Sequence, residues 1–145
     1  MILIFGGTTE GRTAVKVLDE AGSPYYYSTR GNAQQIECKH GTRVAGGMDC
    51  DAMTEFCSTH NIRLIIDAAH PFASLLHTTV ATVSEQLDLP VIRLERRYPP
   101  RDESLVWCDT FDDAIDYLES HEIRDLLALS GVQTITKLQR YWKKH

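Results

Sequence analysis

Seven consecutive residues near the start of the chain, Gly6-Gly7-Thr8-Thr9-Glu10-Gly11-Arg12, are of types that together bind phosphate. Glycines let a backbone approach an anion closely, threonine hydroxyls donate hydrogen bonds and arginine adds charge. A helix that follows such a loop presents unpaired N–H groups and its positive dipole end. The spacing is neither the G-x-G-x-x-G of dinucleotide loops nor the Gly-Lys-Ser/Thr of a P-loop. The competing reading is a plain tight turn with Thr8 or Thr9 as helix cap. Roughly 20 residues on, where an NAD-preferring loop carries an acid for the ribose hydroxyl, the chain instead has Ser28-Thr29-Arg30-Gly31. Arg30 can pair with a 2′-phosphate that an acid would repel, which favours NADPH over NADH. A solvated turn arginine is the alternative.

A second group is Asp67-Ala68-Ala69-His70-Pro71-Phe72-Ala73, directly after an apolar run. His70 can donate to a phosphate, a cofactor amide or a substrate carboxylate, or can shuttle a proton. Pro71 at or near the first helical position sets a helix start. A structural histidine is the bland reading. A third group is Arg93, Arg96, Arg97 and Arg101, close together in an otherwise acidic chain. Guanidiniums so clustered suit a polycarboxylate ligand. Surface pairing with Glu95, Asp102 and Glu103 explains them equally well.

Other chemistries are less favoured. Cys38, His40, Cys50, Cys57 and His60 lie near one another, but no C-x-x-C pair occurs, and Cys57 shares an apolar helical face with Met53 and Phe56. No metal site is expected. The four cysteines are expected as free thiols. A formal net charge of -5 over 145 residues argues against general nucleic-acid or membrane-surface binding. No apolar run approaches the roughly 20 residues that span a bilayer. The start, with no charged leader, reads as a soluble cytoplasmic protein.

These residues must be positioned by an α/β framework. Residues 1–5, 24–29, 42–45, 63–68 and 90–94 read as strands. Residues 9–21, 51–60 and 72–87 carry helix-period apolar faces, with Gly22 as a stop for the first helix. Alternation of this kind predicts a Rossmann-like, doubly wound parallel sheet with helices on both faces. Its strand ends place the glycine loop and His70 on one edge. Pro99 and Pro100 mark a seam at 96–102. Beyond it, strands at 105–108 and 126–129 and a helix through Phe111, Ala114, Ile115 and Leu118 predict the incomplete start of a second α/β unit. The boundaries expected are 1–96 for the dinucleotide-binding domain and 97–145 for the seam and the truncated second domain.

The glycine loop, the Asp67–Ala73 heptapeptide, Arg93-Leu94-Glu95-Arg96 and the strand end Leu129-Ser130-Gly131 stand in the order and spacing of the precorrin-6A reductases of cobalamin biosynthesis, which this chain resembles. Members of that family typically hold two Rossmann-like halves, so the chain resembles the first half and the opening of the second. The resemblance implies NADPH-dependent reduction of the precorrin-6A macrocycle, or its cobalt-containing counterpart. It implies cofactor contacts from Gly6, Gly7, Thr8, Thr9, Glu10, Gly11, Arg12, Ser28, Thr29, Arg30, His70 and Pro71. Substrate contacts would come from His70, Arg93, Arg96, Ser130 and Gly131, with the other half of the same protein as partner. No proton donor is assigned. A short-chain oxidoreductase acting on another substrate is disfavoured, because no Tyr-x-x-x-Lys pair is present. A non-catalytic nucleotide-binding regulatory domain remains the rival from another class.

Overall fold

The computed structural model describes residues 1–31, 36–131 and 134–144. The chain divides into two compact units, Met1–Arg97 and Tyr98–His145. The first holds a five-stranded, all-parallel sheet: β1 (Ile2–Phe5), β2 (Tyr25–Thr29), β3 (Gly41–Ala45), β4 (Leu64–Asp67) and β5 (Val91–Arg93), in the order β3-β2-β1-β4-β5. Three helices connect them, α1 (Thr9–Glu20), α2 (Cys50–Thr59) and α3 (Ser74–Leu87).

Alternation along each strand divides the core into two layers. Leu3, Phe5 and Ile65 face Met53 and Cys57 of α2 and Val80 and Val83 of α3. Ile4, Ile66, Tyr25 and Tyr27 face Ala14 and Val15 of α1. The sheet is therefore covered on both faces, as its near-continuous apolar strands require. Each fully buried aliphatic side chain contributes about 1.5–3 kcal/mol, so the central strands β1 and β4 anchor the unit. The first helix stops where the sequence places its stop. Gly22 has φ +65, its N–H reaches the Asp19 carbonyl, and the Ser23 N–H reaches the Leu18 carbonyl at 2.9 Å, a Schellman closure.

Two local expectations change. The third helix begins at Ser74, not at Phe72, so Pro71 precedes it rather than opening it. The reason is a tight turn in which the Phe72 N–H donates to His70 Nδ1 (3.2 Å) and the Ala73 N–H to the His70 carbonyl (2.8 Å). In the second unit, no strand forms at 105–108 or 126–129. Among the described residues that unit offers no neighbouring strand, and a lone strand leaves its backbone groups unpaired. Leu127 and Leu129 are accordingly exposed.

That unit instead contains α4 (Phe111–Ser120), α5 (Thr134–Lys137) and α6 (Gln139–Trp142). A reciprocal capping box between Thr110 and Asp113 starts α4. Ile115 and Tyr141 are its buried residues, and Arg140 pairs with Asp116 and Lys144 with Glu119 across α4 and the C-terminal turn. All four cysteines are unpaired. No helix among the described residues is long and apolar enough to cross a membrane.

Candidate functional site

Phe5 and Asp67, the last residues of β1 and β4, lie in register side by side. From β1 the sheet continues through β2 and β3, and from β4 through β5. The strand order reverses between them, and ligands of open α/β sheets bind at the carboxyl ends of such a pair. Two loops meet here. The Thr8 hydroxyl donates to the Ala68 carbonyl at 2.5 Å and accepts from the Gly11 N–H at 3.0 Å. One side chain thus caps α1 and ties the glycine loop to the loop after β4.

The glycines serve a neighbour that sequence reading passed over. Tyr27 rises from β2 beneath the loop, fully buried, and its hydroxyl lies 3.0 Å from the Gly7 nitrogen. A Cβ on Gly6 would stand 2.3–2.4 Å from the Tyr27 ring and hydroxyl, and one on Gly11 would stand 2.9 Å from Gly6 Cα. Gly6 and Gly11 are required by packing inside the protein, whether or not a phosphate is held. Gly7, at φ +96 with open space beside it, is the glycine that turns the loop.

The amides of the loop are partly occupied by protein groups. Gly7 is taken by Tyr27 and Gly11 by Thr8, while the N–H groups of Thr8 and Thr9 meet no acceptor among the described residues. The Glu10 side chain is engaged within the protein. Its carboxylate engages Arg96 Nε at 3.1 Å and Nη2 at 3.2 Å. That guanidinium, together with the residue's own N–H, holds the carboxyl below its ordinary range. Arg12 is exposed on α1. At the end of β2, Ser28 and Thr29 are buried and the Thr29 hydroxyl is spent on the Gly31 carbonyl at 2.9 Å, so Arg30 alone of the three is exposed.

His70 is exposed after β4, its Nδ1 accepting the Phe72 N–H. The neutral ring then carries its proton on Nε2. Arg93 is engaged by two carboxylates: Nε and Nη2 both hold Glu95 (2.9 and 2.7 Å), and Nη1 holds Asp67 at 2.7 Å. Burial works against its charge, but Glu95 and Asp67 outweigh it and leave the guanidinium above its ordinary value. Ser130 and Gly131 belong to the second unit, where they line a groove of about 470 Å³ with Leu126, Ile135, Tyr141 and Trp142.

The first unit thus brings together residues 6–12, Asp67, His70, Arg93 and Arg96. Sequence reading missed Tyr27, Asp67 as a buried acid, and His77 beside it. The available signal was Asp67 itself: a carboxylate ending an apolar parallel strand needs a partner, and His77 lies ten positions on.

A model of the family described as precorrin-6x reductase CbiJ/CobK matches residues 1–145. A precorrin-6A reductase of Rhodococcus erythropolis is 30% identical over 148 aligned positions, covering 97% of this chain and 59% of that protein. A cobalt-precorrin-6A reductase of Synechocystis sp. is 30% identical over 102, covering 68% and 38%. The chain therefore spans less than two thirds of the relatives it matches. Among solved structures, a CobK precorrin-6A reductase is similar with a TM-score of 0.66 at 24% identity, over 79% of this chain and 46% of that one, a likeness that bears on the fold. The motifs, the sheet that carries them and a match along the whole sequence agree: this chain belongs to the precorrin-6x reductase CbiJ/CobK family.

Proposed function

We propose that the chain is the nucleotide-binding part of an enzyme that reduces the precorrin-6A macrocycle, or its cobalt-containing counterpart, with NADPH. The observation that carries this reading is one of position. In a chain of this reductase family, the glycine loop and the loop after β4 join through Thr8 and Ala68 where the strand order reverses. Family membership supports a nicotinamide cofactor, and the residues present fit one. The amides of Thr8 and Thr9, which meet no acceptor among the described residues, and the open space at Gly7 leave room for a phosphate at the start of α1.

Reduced nicotinamide, when bound, supplies the hydride. The residues of this chain bind and orient. Thr8 and Thr9 amides and Arg12 take the cofactor's phosphates, and Arg30 takes the 2′-phosphate. His70 presents Nε2–H to a phosphate or a substrate carboxylate. Arg96 joins them on leaving Glu10, which makes that ion pair a competitor of the incoming anion. Arg93 supports the edge through Asp67 and contacts no ligand directly. Ser130 and Gly131 remain proposed substrate contacts in the second unit, and the extra length of the relatives is where further macrocycle contacts are expected.

Calorimetric titration of the chain with NADPH, NADH and ATP tests the reading. Tight NADPH and weak NADH binding is expected, with Arg30→Ala weakening NADPH alone. Preference for ATP, or no nucleotide binding, would replace the reductase reading with a regulatory or non-nucleotide one.

A further inference from the structure

Parallel strands are usually joined by a helix that covers them, but among the described residues no helix lies between β2 and β3. Residues 36–40 instead run back along α1, where Asp19 takes the N–H groups of Lys39 and His40 at 3.2 and 3.0 Å. Strand β3 is the edge of the sheet, and its Arg43 stays exposed. Arg43 is in register with Tyr27, and paired residues of neighbouring strands point to the same face. That face is the one toward α1, because Tyr27 packs with Ala14 and Val15. Tyr27 in turn carries its hydroxyl to the Gly7 nitrogen. Burial pushes that hydroxyl above its ordinary value, against the Gly7 hydrogen bond and the charges of Arg12 and Arg43. Two guanidiniums, one from the first turn of α1 and one from β3, thus act on a single point beneath the glycine loop. Neither meets a carboxylate among the described residues, whereas Arg93, Arg96, Arg101 and Arg140 each do.

We propose that Arg43 is a specificity-determining residue of the nucleotide site: with Arg12 and Arg30 it grips the phosphate on the 2′ position of the adenosine ribose. In a sheet of this kind that ribose sits at the end of the second strand. Here β2 ends at Thr29, directly before Arg30, and the register partner of Thr29 is Ala45, two residues past Arg43. Guanidinium forks suit the oxygens of a phosphomonoester, and an anion shared by like charges turns their repulsion into attraction. NADH carries a hydroxyl at that position and offers Arg43 no charge to hold. Nothing in the sequence marks Arg43, which reads as an ordinary exposed strand residue; the register with Tyr27 singles it out.

The proposal rests on the nucleotide reading above, and 2′-AMP separates the two. The test is calorimetric titration of the full chain, native and Arg43→Ala, with NADPH, NADH and 2′-AMP. NADPH and 2′-AMP should each bind about tenfold more weakly to the variant, the worth of one charge-assisted hydrogen bond, while NADH changes less than about twofold. Arg43→Lys keeps the charge without the fork and should recover part of the loss. Arg63→Ala removes the same charge from an exposed residue ahead of β4, at the opposite end of the sheet, and should leave all three affinities unchanged. Unchanged NADPH binding in Arg43→Ala, an equal loss for NADPH and NADH, or the same loss in Arg63→Ala overturns the proposal. A chain that binds 2′-AMP through Arg43 but neither dinucleotide overturns the nucleotide reading and leaves the anion site standing. A chain that binds none of the three overturns both.

Discussion

Replacing Gly6 with alanine isolates the contact between the glycine loop and Tyr27. Gly6 is not among the glycines at positive φ, so alanine brings no backbone strain and the effect is steric. The new methyl would sit 2.3 Å from Tyr27 Cε2 and 2.4 Å from Cζ and the hydroxyl, against the roughly 3.5–4.0 Å of ordinary carbon contacts. The ring must move by about 1 Å or more, yet it is fully buried against Ile4, Ala14 and Val15. Overpacking of this kind costs about 1–3 kcal/mol, and losing the hydrogen bond to Gly7 adds about 1 kcal/mol. A total near 3 kcal/mol lowers the urea midpoint by about 1–3 M for ordinary slopes. The informative assay is a double-mutant cycle with Tyr27→Leu, which lacks every atom that clashes. In that background Gly6→Ala should cost less than about 1 kcal/mol, giving a coupling of about 2 kcal/mol. Additive effects of the two substitutions would refute the argument that Gly6 exists to admit Tyr27.

Three further outcomes are expected. Glu10→Gln removes the carboxylate from the start of α1; NADPH should bind about two- to fivefold more tightly by calorimetry, and weaker binding would show that Glu10 assists the site. Gly22→Ala should cost about 1–2 kcal/mol in chemical unfolding through left-handed strain alone, since a Cβ there meets nothing within 4 Å; Gly22→Asn should recover part of that loss. Burial, reinforced by Cys38 and Asp19, pushes the Tyr25 hydroxyl above its ordinary value of 10.0. Its contribution to stability is intact below the unfolded value and is lost as pH rises through the folded one, so the unfolding midpoint should fall at alkaline pH, and fall less in Tyr25→Phe.

The first unit was legible because its signals are local. Residues 1–5 and 63–68 are apolar runs between turn formers, and the observed strands fall inside them, since burial on both faces leaves little freedom in composition. The glycine loop and His70 reach the carboxyl edge by connectivity alone. The same runs misled beyond residue 100. Leu105–Cys108 and Leu126–Leu129 have strand-like composition but no adjacent strand among the described residues, and composition does not report whether a partner exists.

Sequence by itself determined the order of elements in the first unit, the strand edge at which the loops gather and the family, because periodicity and motif spacing are written along the chain. Tertiary structure alone decided what each candidate touches. Arg96 meets Glu10 across 86 positions, Thr8 meets Ala68 across 60, and Arg93 joins His77 on a buried Asp67. Charge pairing and steric fit depend on distances through space, and folding sets those distances without leaving a repeat or a motif to mark them.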